Sequence, residues 1–499
     1  MDLYALRFYS RAFTAKEQLN NFICDRSTIA DRIAAHKRND ILDLTAGGDG
    51  NNIAISSDKV KSIIPVMVMR CARLPADTDN DKFTGQHIDY IDLLHPEYSF
   101  SADDCTFQVQ GTSSSKYPIK NFKIKLDSGL TYTQSGEKAS GWLFDKERSI
   151  ETKVFCLKAD FASSEHSNNV NLVDFYNDTT PYAMPPQRVE SQMAVIGKDD
   201  NGNDIKVPKV RQAINGRPII LFWENSETGE LQCQGCYNLN DDKSNEKTFG
   251  FKDIDVTSIV PEPRIECWEW CNNDDPICVF TGTEDFDKIE VDKDGVEYPA
   301  WMDSIEARFP DEKYGYGTKP GEIDAIRNAV EWVVSTNRNA ATNNQLETIQ
   351  YHPRYSDYKD SDEKKPLPIG YTHDTEEYRL SKFKDEFKNY FFLDSMLFYY
   401  LFTELFHLMD SRAKNMFLTT FDGVHFFPIP YDMDTAMGIN NEGTLTYDYN
   451  CEDTEMQDGK GVFTGQESVL WNNVRDCFKS ELAQMYRDVR ADTNKVFSY

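Results

Sequence analysis

Between positions 410 and 434 the chain gathers Asp410, Asn415, Asp432 and Asp434 around the dipeptide Asp422-Gly423, which stands between the β-prone runs 416–420 and 425–430. Asp-Gly flanked by such runs signals a hairpin. Pairing about a two-residue turn sets Phe421 opposite Val424, Asn415 opposite Pro430 and Ala413 opposite Asp432, so Asp432 folds back beside Asp410 and Asn415. Two carboxylates and a carboxamide at the mouth of a hairpin suit phosphoryl transfer. Hard oxygen ligands hold Mg²⁺, and a separate carboxylate orients the acceptor hydroxyl.

Asp-x4-Asn alone reads more readily as a capping Asp and a turn Asn than as catalytic residues. The hairpin and the following Tyr431-Asp432-Met433-Asp434 tip the balance toward chemistry, because this order of parts is similar to that of kinase catalytic loops. In that reading Asp410 accepts the proton of the substrate hydroxyl. Asn415 and Asp432 hold the metal, and Asp434 is a further ligand or a support for one. Lys158, closing the apolar strand 154–157, stands where an ATP lysine would, although an ordinary strand-end lysine is the equal alternative. The histidines supply no Ser-His-Asp set, and His407 on an apolar helix reads as a core residue.

The elements that must position these residues fall into two kinds. Runs at 63–69, 106–110, 122–126, 154–157 and 219–222 read as strands, whereas 322–334, 375–391 and 393–409 show helical spacing or continuous apolar faces. The stretch 396–402 is almost wholly apolar, so its helix should be buried and hold Asp410 rigidly. Segment 355–368, rich in Asp and Lys, reads as a surface loop. Near the start, Thr14 and Glu17 make a capping box ahead of an amphipathic run, 15–24.

The expected organisation is an end of a preceding domain plus linker helix over 1–60, a β-rich N-lobe with insertions over 61–318, and a helical C-lobe with the catalytic hairpin over 319–499. Both ends read as cut from a longer protein.

The 83 acidic against 54 basic side chains give a formal charge of -29. Such a surface repels phosphate backbones and anionic lipid, which argues against nucleic acid and membrane as partners. No apolar run approaches the ~20 residues of a membrane span, and the first residues lack a secretory pattern, so the chain reads as soluble. Eleven cysteines spread over 499 residues are unlike a disulfide scaffold. Cys233/Cys236 form a CxxC and Cys267/Cys271 a CxxxC, yet no His stands near either pair at a zinc-finger spacing, so buried free thiols are the favoured reading and a structural zinc the lesser one.

A more specific likeness follows from two strings. Gln110-Gly111-Thr112-Ser113-Ser114-Ser115-Lys116-Tyr117-Pro118-Ile119-Lys120-Asn121-Phe122-Lys123-Ile124-Lys125 resembles the "GNSS…PKKSFxIK" signature of the spore-coat (CotH) kinase family. Pro428-Ile429-Pro430-Tyr431-Asp432-Met433-Asp434 resembles its "IPWDxD". The likeness runs in matching order over roughly 60–490. Departures are Thr112 for Asn, Ile119 for the first Lys of a pair, and Tyr431 for Trp. The Asp-x3-Lys-Asn then Tyr-Asp arrangement is also similar to HipA-type toxin kinases.

The resemblance implies a two-lobed α+β atypical-kinase fold, with a β-rich N-lobe and a mainly helical C-lobe. It implies ATP and Mg²⁺ as cofactors and transfer to Ser or Thr hydroxyls. Gly111, Ser113 and Ser114 would lie over the phosphates, with Lys120 or Lys158 as the cationic contact. The net charge points to protein substrates with basic, Ser-rich segments.

Two further resemblances bear on context. Residues 7–14 resemble the exit of laminin-G or concanavalin-like sandwiches. Segments 431–440 and 462–471 resemble CotH-like domains of phage structural proteins, which implies a virion, other virion proteins as partners, or a bacterial cytoplasm. The alternative function is a kinase-like structural module of a phage tail or host-adhesion protein without turnover.

Overall fold

The computed structural model describes residues 64–76, 82–92, 94–111, 114–146, 148–161, 168–270, 289–291, 295, 297–299, 305–310, 324–336, 376–408, 411–412, 415–439 and 469–492. The N-terminal segment 1–60, with its capping box and sandwich-like string, and the loop 355–368 lie outside the described residues.

Seven strands build the first body: β1 (Val66–Cys71), β2 (Phe83–Ile91), β3 (Phe100–Gln110), β4 (Asn121–Leu126), β5 (Val154–Lys158), β6 (Gly216–Asn225) and β7 (Leu231–Asp241). They pair in the order β2-β1-β6-β7-β5-β4-β3, and β3 returns to β2, closing a barrel. Each expected strand in this region lies in or largely overlaps one of them. Period-two alternation explains the wall: Phe122, Ile124, Phe155, Leu157, Leu221 and Leu239 fill the interior, while Lys123, Lys125 and Lys158 point outward. In β3 the buried set passes from Phe100 and Ala102 to Cys105, Phe107 and Val109. The one-residue slip falls beside Asp104, whose φ is 56°, and such bulges let a sheet bend enough to close.

The second body is an antiparallel sheet with helices against it. Strands β8 (Glu266–Trp270), β9 (Ile305–Phe309), β10 (Met416–Thr420) and β11 (Phe427–Pro430) pair in the order β9-β8-β10-β11. Helices α1 (Asn168–Thr179), α2 (Asp324–Ser335), α3 (Glu376–Glu386), α4 (Leu393–Leu405), α5 (Val469–Cys477) and α6 (Lys479–Asp492) complete it. α4 is buried nearly all round through Met396, Leu397, Phe398, Tyr399, Tyr400 and Phe402, as its composition required. Among the described residues no helix is long and apolar enough to cross a membrane.

The expected two-lobed kinase-like fold with a mainly helical C-lobe is corrected by this architecture. Seven of the strands before residue 242 close into a barrel. The hairpin strands β10 and β11 then join a sheet with β8 and β9 instead of standing alone in a helical lobe. Local periodicity marks a strand but not its partner. Closure depends on the parallel β1–β6 pairing of Val66 with Ile220 and on the β5–β7 pairing of Lys158 with Asn238, both between strands far apart in the chain.

Candidate active site

The site lies on the outer wall of the barrel, where β5 ends and the segment after β11 crosses it. Because Leu157 points inward, its neighbour Lys158 points out. Its Nζ meets Asp432 Oδ2 at 3.2 Å, with the two side chains 13% and 27% exposed. Burial acts to lower the Lys158 ammonium, but the carboxylates of Asp432 and Asp434 outweigh it and hold the group above the ordinary lysine value. The other oxygen of the pair, Asp432 Oδ1, is buried and has no hydrogen-bond partner.

Asp432 is held by backbone as much as by charge. Asp432, Asn415 and Asp160 take φ values of 54°, 56° and 44°, in the left-handed region that Asp and Asn tolerate better than most residues. Tyr431 N donates to Asn415 O at 3.2 Å, so Asn415 and Asp432 flank one rung at the open end of the hairpin. Tyr431 also donates its hydroxyl to the buried Glu269, which accepts from Lys243 and Arg308 as well.

The expected register is off by one residue. Met416 pairs with Pro430 and Thr419 with Phe427, which puts Asn415 opposite Tyr431, not Pro430. The turn is longer than two residues because the Asp422 carboxylate accepts from Val424 N and His425 N at 2.9 and 2.8 Å. Phe426 is drawn aside to Phe391, its N–H donating to Tyr390 O.

A set of amides that the sequence reading did not single out fixes the rest. Asn169, at the start of α1, donates Nδ2 to Asp160 Oδ1 at 2.6 Å and accepts from Met433 N through Oδ1 at 2.6 Å. Asn238 Nδ2 reaches Asp160 Oδ2 at 2.5 Å, and Asn240 Nδ2 reaches Asn169 O at 3.0 Å. Burial pushes the Asp160 carboxyl up to about 6, against the pull of the Asn169 bonds. The available signal was Asn at alternate, outward positions 238 and 240, on either side of the buried Leu239.

The Ser-rich loop is tied to the same place. Asn121 donates to Ser114 Oγ at 3.2 Å and accepts from Ala159 N at 2.7 Å, linking the loop to the residue after Lys158. A Cβ on Gly111, at φ 104°, would fall 2.0 Å from Ser114 Oγ, so the loop closes only on glycine. Lys120 Nζ turns back to Ser115 O at 2.7 Å. Of the two candidate lysines, Lys158 is therefore the one on Asp432.

Asp410 and Ser113 lie outside the described residues. Next to the former, Ser411 Oγ donates to Met433 Sδ at 3.7 Å and Ser411 O accepts from Tyr399 OH at 2.6 Å. Among the described residues no group of three or more His, Cys, Asp or Glu side chains is arranged to hold a metal ion. Asp432 Oδ1, buried and unpartnered, is an oxygen on which a hard cation could rest.

Residues 326–497 match the CotH kinase protein family. The match covers α2 through α6 and carries Asn415, Asp432 and Asp434, whereas Lys158, Asp160 and Asn169 precede it. No curated protein matches the chain.

Proposed function

We propose that this chain, of the CotH kinase type over residues 326–497, is an ATP- and Mg²⁺-dependent protein kinase acting on Ser or Thr hydroxyls. The observation that carries the reading is the pairing of Lys158 with Asp432 while Asp432 Oδ1 stays unpartnered. A fixed ammonium beside a carboxylate with a free oxygen provides one contact for phosphate and one for a cation.

Asp432, Asn415 and Asp434 would hold Mg²⁺. When bound, the ion offsets phosphate charge, which is its contribution in phosphoryl transfer generally. Lys158 pairs with phosphate oxygens and keeps them in line with the acceptor. The Ser114 hydroxyl and the backbone near Gly111 cover the phosphates on the loop that Asn121 anchors. Asp410 takes the proton from the acceptor hydroxyl as its oxygen bonds to the γ-phosphorus and the bond to the departing diphosphate breaks.

Melting curves with and without millimolar MgATP test the binding half of this reading. Ligand at 100 times its dissociation constant stabilises by about 2.7 kcal/mol, so wild type should shift upward and Asp432→Ala should not. An unshifted wild type would leave a kinase-like module without nucleotide. Asp410→Asn tests the other half: it should keep the MgATP shift and lose phosphoryl transfer by roughly 10²-fold or more. Loss of both together would make Asp410 a structural residue.

A further inference from the structure

The expectation that Cys233 and Cys236 are buried is corrected by the structure: both are exposed, while Cys71, Cys105, Cys156 and Cys267 are buried and Cys477 is half-buried. Three residues apart on a regular strand, they would point to opposite faces. A bulge changes that. Cys233 pairs with Phe222, Gly235 with Leu221 and Cys236 with Ile220, leaving Gln234 as the extra residue. Phe222 and Ile220 lie two apart on one face of β6, so the two cysteines opposite them also share a face. That face is the outer one, because the intervening Leu221 points into the barrel.

The spacing selects the chemistry. Two strand steps put the paired Cα atoms ~6.6 Å apart with roughly parallel Cβ vectors. A disulfide needs a Cβ···Cβ separation of about 3.5–4.5 Å and so would require the strand to move. Two thiolates on one tetrahedral ion at about 2.3 Å each stand ~3.8 Å apart, which side-chain rotation alone reaches from this spacing.

There is also room for an ion with its water. β5 pairs with β7 only from Asn238 to Asp241, so among the described residues β5 leaves the edge beside 231–236 open.

We propose that Cys233 and Cys236 are the protein ligands of a thiophilic divalent cation of the zinc group, bound as a dithiolate on the outer wall of the barrel, with two protons released on binding. The site is separate from the kinase reading and stands without it.

The test is a Cd²⁺ titration of the fully reduced whole chain, reading the ultraviolet thiolate-to-cadmium absorption, on wild type, Cys233→Ser, Cys236→Ser and the double variant. The positions are exposed, so unchanged melting curves are expected for the variants. Each single variant should lose more apparent affinity than the roughly tenfold that loss of an outer-sphere partner costs, and the double variant should lose the absorption of this site. In wild type, Zn²⁺ should slow maleimide labelling of both cysteines, read by peptide mass. Equal titrations in wild type and double variant would overturn the proposal. So would a Cys233–Cys236 disulfide in the non-reduced peptide map, since the spacing would then favour the bond over the chelate.

Discussion

Lys158 Nζ and Asp432 Oδ2 lie 3.2 Å apart although 274 positions separate them in the chain. With one partner removed, the other is left charged in a largely enclosed place. Asp432→Ala and Lys158→Met are each expected to lower unfolding free energy by about 3 kcal/mol, the low end for a buried pair because Asp432 keeps some solvent. The double variant should lose less than the sum, by a coupling of about 1–3 kcal/mol in a urea double-mutant cycle. Strict additivity would mean the contact is not energetically real.

Asn169 links α1 to the backbone between Asp432 and Asp434, so its loss should be felt in both stability and ligand response. Asn169→Ala deprives the Asp160 carboxylate and Met433 N–H of partners and is expected to cost about 2–4 kcal/mol in chemical denaturation. The MgATP melting shift should shrink at temperatures where the variant is still folded. A full wild-type shift in this variant would show that Asp432 is positioned without Asn169.

Asp241 offers a pH test away from the site. Burial pushes its carboxyl up to about 7, although Thr248 and Asn245 donate to it at 3.0 and 3.3 Å. A folded value raised above the unfolded one means the folded state binds the extra proton, so this group's contribution falls as pH rises from the unfolded value through 7. Asp241→Asn removes that slope. Relative to wild type it should be more favourable at pH 8 than at pH 5 by roughly 2–3 kcal/mol, measured by urea denaturation at both pH values. A pH-independent difference would place the ionised form comfortably in the fold.

Much of the site could be read from residue types because its parts are local: the Asp-Gly turn, the apolar α4 before it, and the strand ending in Lys158. The register could not, because the Asp422 side chain competes with the two-residue turn and Phe426 is drawn to Phe391. Asp160 and Asn169 carry no spacing signature, and only the fold brings them to Met433. The choice between Lys158 and Lys120 also waited on tertiary contact. For the fold, alternation exposed the strands, but the parallel pairing of β1 with β6 joins residues as distant as Val66 and Ile220, and the cysteine bulge is a register shift that alternation does not show.

If the chain is the proposed kinase, its charge sets an expectation about the acceptor. A formal -29 should favour Lys/Arg-rich serine peptides over Asp/Glu-rich ones as acceptors, with the preference shrinking as salt shortens the screening length below about 8 Å. Better phosphorylation of acidic peptides, or a preference indifferent to salt, would refute this attribution.

The most direct measurement of the proposed activity is incubation of wild type and Asp432→Ala with γ-labelled ATP, with Mg²⁺ or with chelator, followed by counting protein- and peptide-bound phosphate. Wild type should incorporate label only with Mg²⁺, and Asp432→Ala should fall by roughly 10²-fold or more. No label from folded wild type, or equal label from Asp432→Ala, would contradict phosphoryl transfer at the Lys158–Asp432 site.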